Sequence, residues 1–305
     1  MSRPACLPLF FLTILYAGCS NQQVNSPAGS KPVAPAVGSF TYQNHLIFVR
    51  ASINDLEPVW ALIDTGANNS AIDLNYAQDH HLPLSEETTV HGSAGSTKAR
   101  SVTLRDLSIC GAGIPETTAT AYSLVVVAPD GKPISLIVGY PYLKHFAFRV
   151  DYIHYQLTLH RQSVSAAHSI PMRMDQGIPC VKLILNGVAS IDSRIDTGAS
   201  LFDTKDAYLN ITSTVRESLK KSGFDPKPEF TLEGSGVGGP IKLPVIRLDS
   251  LQIGDRRIDR PCAIVQPPVG IFADPSMPGF IANYTLESLG KITFDYLGGA
   301  LGWDN

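Results

Sequence analysis

The sequence predicts an all-β protein built as two homologous lobes, and three observations carry that expectation. The chain of 305 residues holds 25 Gly and 22 Pro but is only 17% charged, a composition that suits many short strands joined by turns. Its apolar residues alternate, as in Phe40-x-Tyr42, Val102-x-Leu104 and Ile292-x-Phe294, or form short runs such as Leu46–Val49 and Leu124–Val127. These are the patterns of half-buried and buried strands. Most of the chain also occurs twice. Asp64-Thr-Gly-Ala recurs as Asp196-Thr-Gly-Ala at an offset of 132, with Ile53–Asn54 matching Leu185–Asn186 and Phe40-x-Tyr42 matching Met172-x-Met174 at the same offset. Leu104-x-x-Leu107-x-Ile109 recurs as Leu248-x-x-Leu251-x-Ile253, and Val150-Asp-Tyr152 as Phe294-Asp-Tyr296, at an offset of 144.

Taken from the N-terminus, residues 1–18 read as an export signal. Arg3 gives a positive start, and the apolar run Leu7–Ala17 is about half the roughly 20 residues of a spanning helix. Ala17 and Gly18 are the small residues expected at a cleavage site. Ala-Gly-Cys resembles the bacterial lipobox, with Tyr16 where that motif usually carries Leu. Cys19 is therefore the expected lipidated residue, and a plain cleaved signal is the alternative. Residues 19–39 are rich in Ser, Asn, Gln, Pro, Ala and Gly, which suits a flexible, lipid-anchored tether. This organisation implies an extracytoplasmic, membrane-anchored lipoprotein on the periplasmic side of a bacterial outer membrane.

The two lobes are expected at 40–162 and 163–305. The second carries about 12 more residues than the first, between Ala199 and Leu248. Thr214-x-x-Glu217 has the form of a capping box, and Gly223 suits a helix C-terminus. The insertion is thus expected to hold a short helix near 214–222. Each lobe is too small to cover both faces of its sheet well, so the lobes should pair within one monomer as an intramolecular pseudo-dimer.

A net charge of −3 and a pI near 6.2 argue against a nucleic-acid partner. With Cys6 lost in the signal and Cys19 lipidated, Cys110, Cys180 and Cys262 remain. They allow one disulfide and one thiol, or three thiols. No Cys/His cluster has metal-ligand spacing, and the neighbours His80 and His81 point in different directions in any regular structure. Gly234-x-Gly236-x-x-Gly239 has the form of a dinucleotide fingerprint, but Pro240, Lys242 and Pro244 with alternating Ile241 and Leu243 read as a strand, whereas that motif opens a helix. Neither metal nor cofactor is expected. Asn68, Asn210 and Asn283 open glycosylation sequons by form, incidental in a bacterial lipoprotein.

One Asp-Thr-Gly arises by chance in roughly one chain of this length in twenty and otherwise reads as a turn after a strand. Two copies inside a repeat say more. Each follows an apolar strand, Trp60-Ala-Leu-Ile63 or Ser193-Arg-Ile195, and each is followed by Ala and then Asn68 or Ser200. The pattern resembles the retropepsin-like aspartic protease family in a single-chain form, with two lobes in place of two subunits, over nearly all of 40–305. The resemblance implies two β-barrel-like lobes of the acid-protease type with a few short helices. It also implies a glycine-bearing flap hairpin in each lobe, for which Val90–Gly95 and Leu232–Gly239 fit. His91, Gly92, Ser93, Gly234, Ser235 and Gly236 would then cover a substrate, although His91 reads first as an exposed loop histidine. A later apolar-apolar-Gly element is matched by Ile137-Val138-Gly139 and by Phe280-Ile281-Ala282. Ala282 replaces the usual glycine, and its methyl is expected to crowd the loop behind Asp196.

The activity implied is that of an aspartic endopeptidase acting on a peptide or protein substrate. Two carboxylates about 3 Å apart cannot both ionise easily, so Asp64 and Asp196 would share one proton and activate a water. Thr65 and Thr197 would hydrogen-bond across the lobe interface, and Gly66 and Gly198 would let backbone N–H groups reach the carboxylates. The alternative is a catalytically inactive peptide-binding or scaffold lipoprotein that kept the fold, a reading favoured by Ala282 and the asymmetric second lobe.

Overall fold

The computed structural model describes residues 9–10, 34–54, 56–92, 95–201, 206–236, 239–274 and 276–304. Cys19 and most of the expected leader and tether lie outside the described residues. Leu9–Phe10, within that leader, pairs in parallel with Gly234–Ser235. Among the described residues, no helix is long and apolar enough to cross a membrane.

Both lobes open on the same hairpin. In the first, Asn44 and His45 take positive φ (53° and 59°) between strands Thr41–Gln43 and Leu46–Ser52, the backbone of a tight antiparallel turn. In the second, Gln176 and Gly177 do the same between Arg173–Asp175 and Ile178–Leu185. Glycine is needed at 177, where φ is +86° and a Cβ would lie 2.7 Å from the Tyr140 ring. The next strands, Val59–Ile63 and Ala189–Ile195, lead directly into the two Asp-Thr-Gly turns. Later in each lobe comes a long hairpin, Leu84–Gly92 with Gly95–Ile109 and Phe230–Gly236 with Gly239–Arg247. The glycine-rich 234–239 segment is thus a hairpin end, as its prolines predict.

The register revises the account of the insertion. Asp64 N–H donates to Val138 O and Asp196 N–H to Ile281 O, so Ile137 and Phe280 are equivalent. Ile137 pairs with Ala71 and Phe280 with Asn210, an offset of 139. A short helix follows in both lobes, Leu74–Asp79 capped by the Asp73 side chain and Ser213–Lys221 capped by that of Thr212. The helix near 214–222 exists, but it belongs to the common fold. Of the extra residues, seven fall in the loop after Ala199. The other five fall before the hairpin tips, where Gly92 opposite Gly95 matches Gly236 opposite Gly239 at the full offset of 144.

A six-stranded antiparallel sheet joins the lobes, in the order His168–Pro171, Ala300–Asp304, Lys291–Asp295, Ala147–Asp151, Gln156–His160, Ala36–Ser39. At its centre Arg149 stands opposite Thr293, residues exactly one repeat apart in register, so the pseudo-two-fold axis passes through this pair. Arg149 Nε donates to Thr293 Oγ1 at 3.0 Å, and Phe148 stacks on Phe294 with ring centroids 4.7 Å apart. Lys291 Nζ lies 3.0 Å from Asp151 Oδ2 across the same seam. The sheet also corrects a boundary: Ala36–Ser39, inside the stretch read as tether, is an edge strand paired with Gln156–Leu159. Leu124–Val127 lies outside the strands. Leu124 and Val126 are buried while Val125 and Val127 face solvent, and the one ladder contact is the bridge Val127 to Pro133. Of the cysteine alternatives the structure takes three thiols, with Cys180 and Cys262 buried and Cys110 partly so.

Candidate active site

Each Asp-Thr-Gly turn sits where a strand end meets the end of its parallel neighbour. Val59–Ile63 runs beside Leu136–Val138, and Ala189–Ile195 beside Gly279–Ile281. The neighbouring strands accept the aspartate N–H groups at 3.0 and 2.9 Å. Gly66 N–H donates back to Asp64 Oδ1 at 2.8 Å, and Gly198 N–H to Asp196 Oδ1 at 3.0 Å. Each turn therefore fixes its own carboxyl group.

The two turns lock together through their threonines. Thr65 N–H donates to Thr197 Oγ1 at 3.0 Å, and Thr197 N–H to Thr65 Oγ1 at 3.1 Å. Each hydroxyl then donates to the opposite strand, Thr65 Oγ1 to Ile195 O at 2.6 Å and Thr197 Oγ1 to Ile63 O at 2.8 Å. A hydroxyl is the smallest side-chain group that both donates and accepts, and all four bonds are buried, where an unmade partner costs most.

This interlock sets each carboxyl group against the opposite turn. A Cβ on Gly66 would lie within 2.9 Å of all three carboxyl atoms of Asp196, and one on Gly198 within 2.6 Å of those of Asp64. The two carboxyl groups hydrogen-bond to each other. Asp64 is completely buried and Asp196 nearly so. Burial, and for Asp64 next the charge of Asp196, push both aspartates above the ordinary carboxylate range. The arrangement is a buried pair of carboxyl groups in which burial favours the protonated form.

The loops behind the turns differ. In the first lobe, Gly139 N–H donates to Ser70 Oγ and Tyr140 N–H to Ala67 O. A Cβ on Gly139 would come within 2.6 Å of Ala67 O and Asn69 O. In the second, Ala282 carries that methyl, fully buried in an apolar cluster with Ala199, Leu201, Tyr208 and Phe280. The Asp196 backbone bond is as short as its first-lobe counterpart, so Ala282 does not displace the turn. Asn283 grips this turn with its side chain. Its Nδ2 donates to Thr197 O at 2.8 Å and to His45 O at 2.7 Å, and its Oδ1 accepts from Tyr152 Oη at 2.7 Å. Asn283 and Asn210 are fully buried, so their sequons are closed to glycans in the folded protein.

The remaining predicted residues fall at the hairpin ends. His91 and Gly92 close the first hairpin, and Gly234, Ser235 and Gly236 close the second. Ser93 lies outside the described residues. The short helical turn Gly270–Ala273 packs against both strands of the first hairpin, so the second lobe braces the first lobe's hairpin. Two buried polar side chains close to the second turn escaped the sequence reading, Asn283 and Arg194. Only Arg194 had a signal, as a charge whose repeat mate is Leu62. Among the described residues, no cluster of three or more His, Cys, Asp or Glu side chains is arranged to hold a metal ion.

Comparison with known proteins agrees with the first lobe. A sequence profile of the aspartyl protease family matches residues 49–142, from the first long strand through the Gly139 element. No curated protein matches the chain. Among solved structures, a retropepsin-like aspartic protease from Rickettsia conorii is 20% identical, over 44% of this chain and 87% of that one, with a TM-score of 0.30. Over residues 49–142, within its first lobe, the chain is thus similar to the aspartyl proteases.

Proposed function

We propose that the protein is an aspartic endopeptidase in which Asp64 and Asp196 together activate a water against a peptide bond. The observation that carries this reading is the reciprocal seating of each carboxyl group against the glycine of the other lobe's turn. That seating makes a shared proton the low-energy state of the pair. In the reaction, the ionised member takes a proton from water while the protonated member hydrogen-bonds the scissile carbonyl oxygen. The tetrahedral intermediate then collapses as the amine leaves with a proton, without a covalent enzyme intermediate. Both acids come from one chain, so a monomer suffices. The glycine-ended hairpins would close over the peptide and exclude water.

The test is cleavage of a peptide library by the full chain, beside Asp64→Asn and Asp196→Asn, from acid to neutral pH. Either substitution is expected to abolish cleavage. Activity surviving in either variant would remove the pair from the mechanism, and absence of cleavage by the unmodified protein would favour a scaffold that only binds peptides. We propose further that Cys19 is lipidated and tethers the lobes outside the cytoplasm. Cys19→Ser should move the protein from the membrane fraction to the soluble fraction, and an unchanged membrane fraction would refute the anchor.

A further inference from the structure

Two residues before each catalytic aspartate the lobes differ in kind. In the first lobe the position is Leu62, buried with Phe48, Val90, Ala99 and Ile137 in an apolar cluster that includes hairpin residues. In the second it is Arg194, only 2% exposed, on the strand Ala189–Ile195 that leads into Asp196 and opposite Cys180 and Phe280. Its Nε and Nη2 both donate to Asp175 Oδ2, at 2.9 and 2.6 Å. Its Nη1 is buried with no acceptor among the described residues. A buried guanidinium nitrogen without a partner is expensive, and a site keeps one where a ligand supplies the acceptor.

Arg194 lines a cavity of about 200 Å³ shared with Arg173, Asp175, Asp192, Asp274 and Met277. The cavity lies on the same stretch of chain as Gly270–Ala273, which braces the first hairpin, and the charge of Arg194 acts on both Asp196 and Asp274. One wall of the cavity thus stands two residues from Asp196 on the same strand, and another follows directly on the segment that packs against the first hairpin. Its walls are nearly neutral. Asp175 is paired with Arg194, Asp192 is shared by Arg173 and Lys182, and Asp274 is held by Ser276. A wall of that kind does not draw in a bare ion, but it offers one dry donor to an acceptor oxygen.

We infer that this cavity is a specificity pocket for a substrate side chain ending in an acceptor oxygen, a carboxamide or carboxylate, with Arg194 Nη1 as its donor. The inference rests on the proposed peptidase reading. It makes substrate recognition asymmetric: apolar on the Leu62 side of the scissile bond, hydrogen-bonded on the Arg194 side. Arg194 is the residue that sets the difference.

The test uses the full chain and peptides that vary only at the two residues flanking the cleaved bond, each set to Gln, Glu, Leu or Lys. At one of the two positions, Gln or Glu should exceed Leu and Lys in kcat/KM by about tenfold or more, the scale on which a hydrogen-bonding pocket rejects side chains that leave its donor unpaired. Arg194→Lys keeps a cation for Asp175 but removes the free arm, and should bring the ratio to within about twofold. Arg194→Leu combined with Asp175→Gln copies the first lobe, where Leu62 and Gln43 hold the matching positions, and should reverse the preference toward Leu, with thermal melting confirming that both variants fold. Binding of the same peptides to Asp196→Asn, measured by fluorescence anisotropy, separates pocket from chemistry. Selective binding without cleavage by the unmodified protein would overturn the peptidase reading and support the pocket. Cleavage with no preference for Gln or Glu, or a preference that survives Arg194→Lys, would overturn the pocket and leave the peptidase reading standing.

Discussion

Replacing Gly198 with alanine adds one methyl group, and the structure says where it goes. The φ of Gly198 is one that alanine adopts without strain, so the substitution acts through the new Cβ alone. That atom would lie within 2.6 Å of Cγ and both oxygens of Asp64, where ordinary contact needs about 3.5 Å or more. The Asp64 carboxyl group must therefore move by roughly 1 Å from its place in the pair. Misplacement on that scale costs about 100-fold in rate, and overpacking a dense interior costs about 1–3 kcal/mol of stability. Gly113→Ala is the matched control, because its nearest neighbour would be Ser108 Cβ at an ordinary 3.8 Å. Peptide cleavage and thermal unfolding should be measured on both variants. Gly198→Ala should lose at least about 100-fold in kcat/KM and melt a few degrees lower, with Gly113→Ala close to the unmodified protein in both. If Gly198→Ala cleaves within about threefold of the unmodified protein, the reciprocal seating of the carboxyl groups is not what positions them.

Three further outcomes follow from the same geometry. Thr197→Val removes one donor and one acceptor from the threonine interlock and leaves Ile63 O and Thr65 N–H without partners, at a cost of about 2–4 kcal/mol in chemical unfolding; Thr197→Ser should recover most of it. Asn283→Leu releases Thr197 O, His45 O and Tyr152 Oη together, and should lower kcat while changing KM little; an unchanged kcat would show that the turn is held by other bonds. Because the folded protein binds a proton at Asp64 and Asp196 more tightly than the unfolded chain, the pair favours folding at acid pH. That contribution is lost as pH rises through the folded values, so Asp64→Asn should raise the melting temperature more at pH 8 than at pH 4, as a pH series of melting curves would show.

The repeat made much of the site legible. Asp64, Thr65, Gly66 and their mates at 132 are short-range, and the chemistry of a paired carboxylate needs those residue types in that order. Elements whose partners are distant were harder. Ala36–Ser39 has the composition of a linker and becomes a strand because Gln156–Leu159 offers it an edge. Leu124–Val127 has the composition of a strand and receives one bridge. The second-lobe helix was visible from its cap, yet its equivalence to Leu74–Asp79 appears only through the pairing of Ala71 and Asn210, because six- and nine-residue helices share little sequence. Asn283 was legible only as a sequon by form, because nothing local marks a side chain buried against another lobe. Arg194 was legible in principle, since the repeat aligns its charge with Leu62 of the first lobe.

The central claim is that Asp64 and Asp196 share a proton, and carbon NMR of the full chain with carboxyl-labelled aspartate tests it most directly. Spectra across the pH range, assigned with Asp64→Asn and Asp196→Asn, report the protonation of each group. The account predicts two carboxyl signals that respond to each other, with the last proton leaving the pair well above the ordinary aspartate value of about 3.9, and with that late step absent from both variants. Two independent titrations near the ordinary value, unchanged in one residue when the other is replaced, would contradict it.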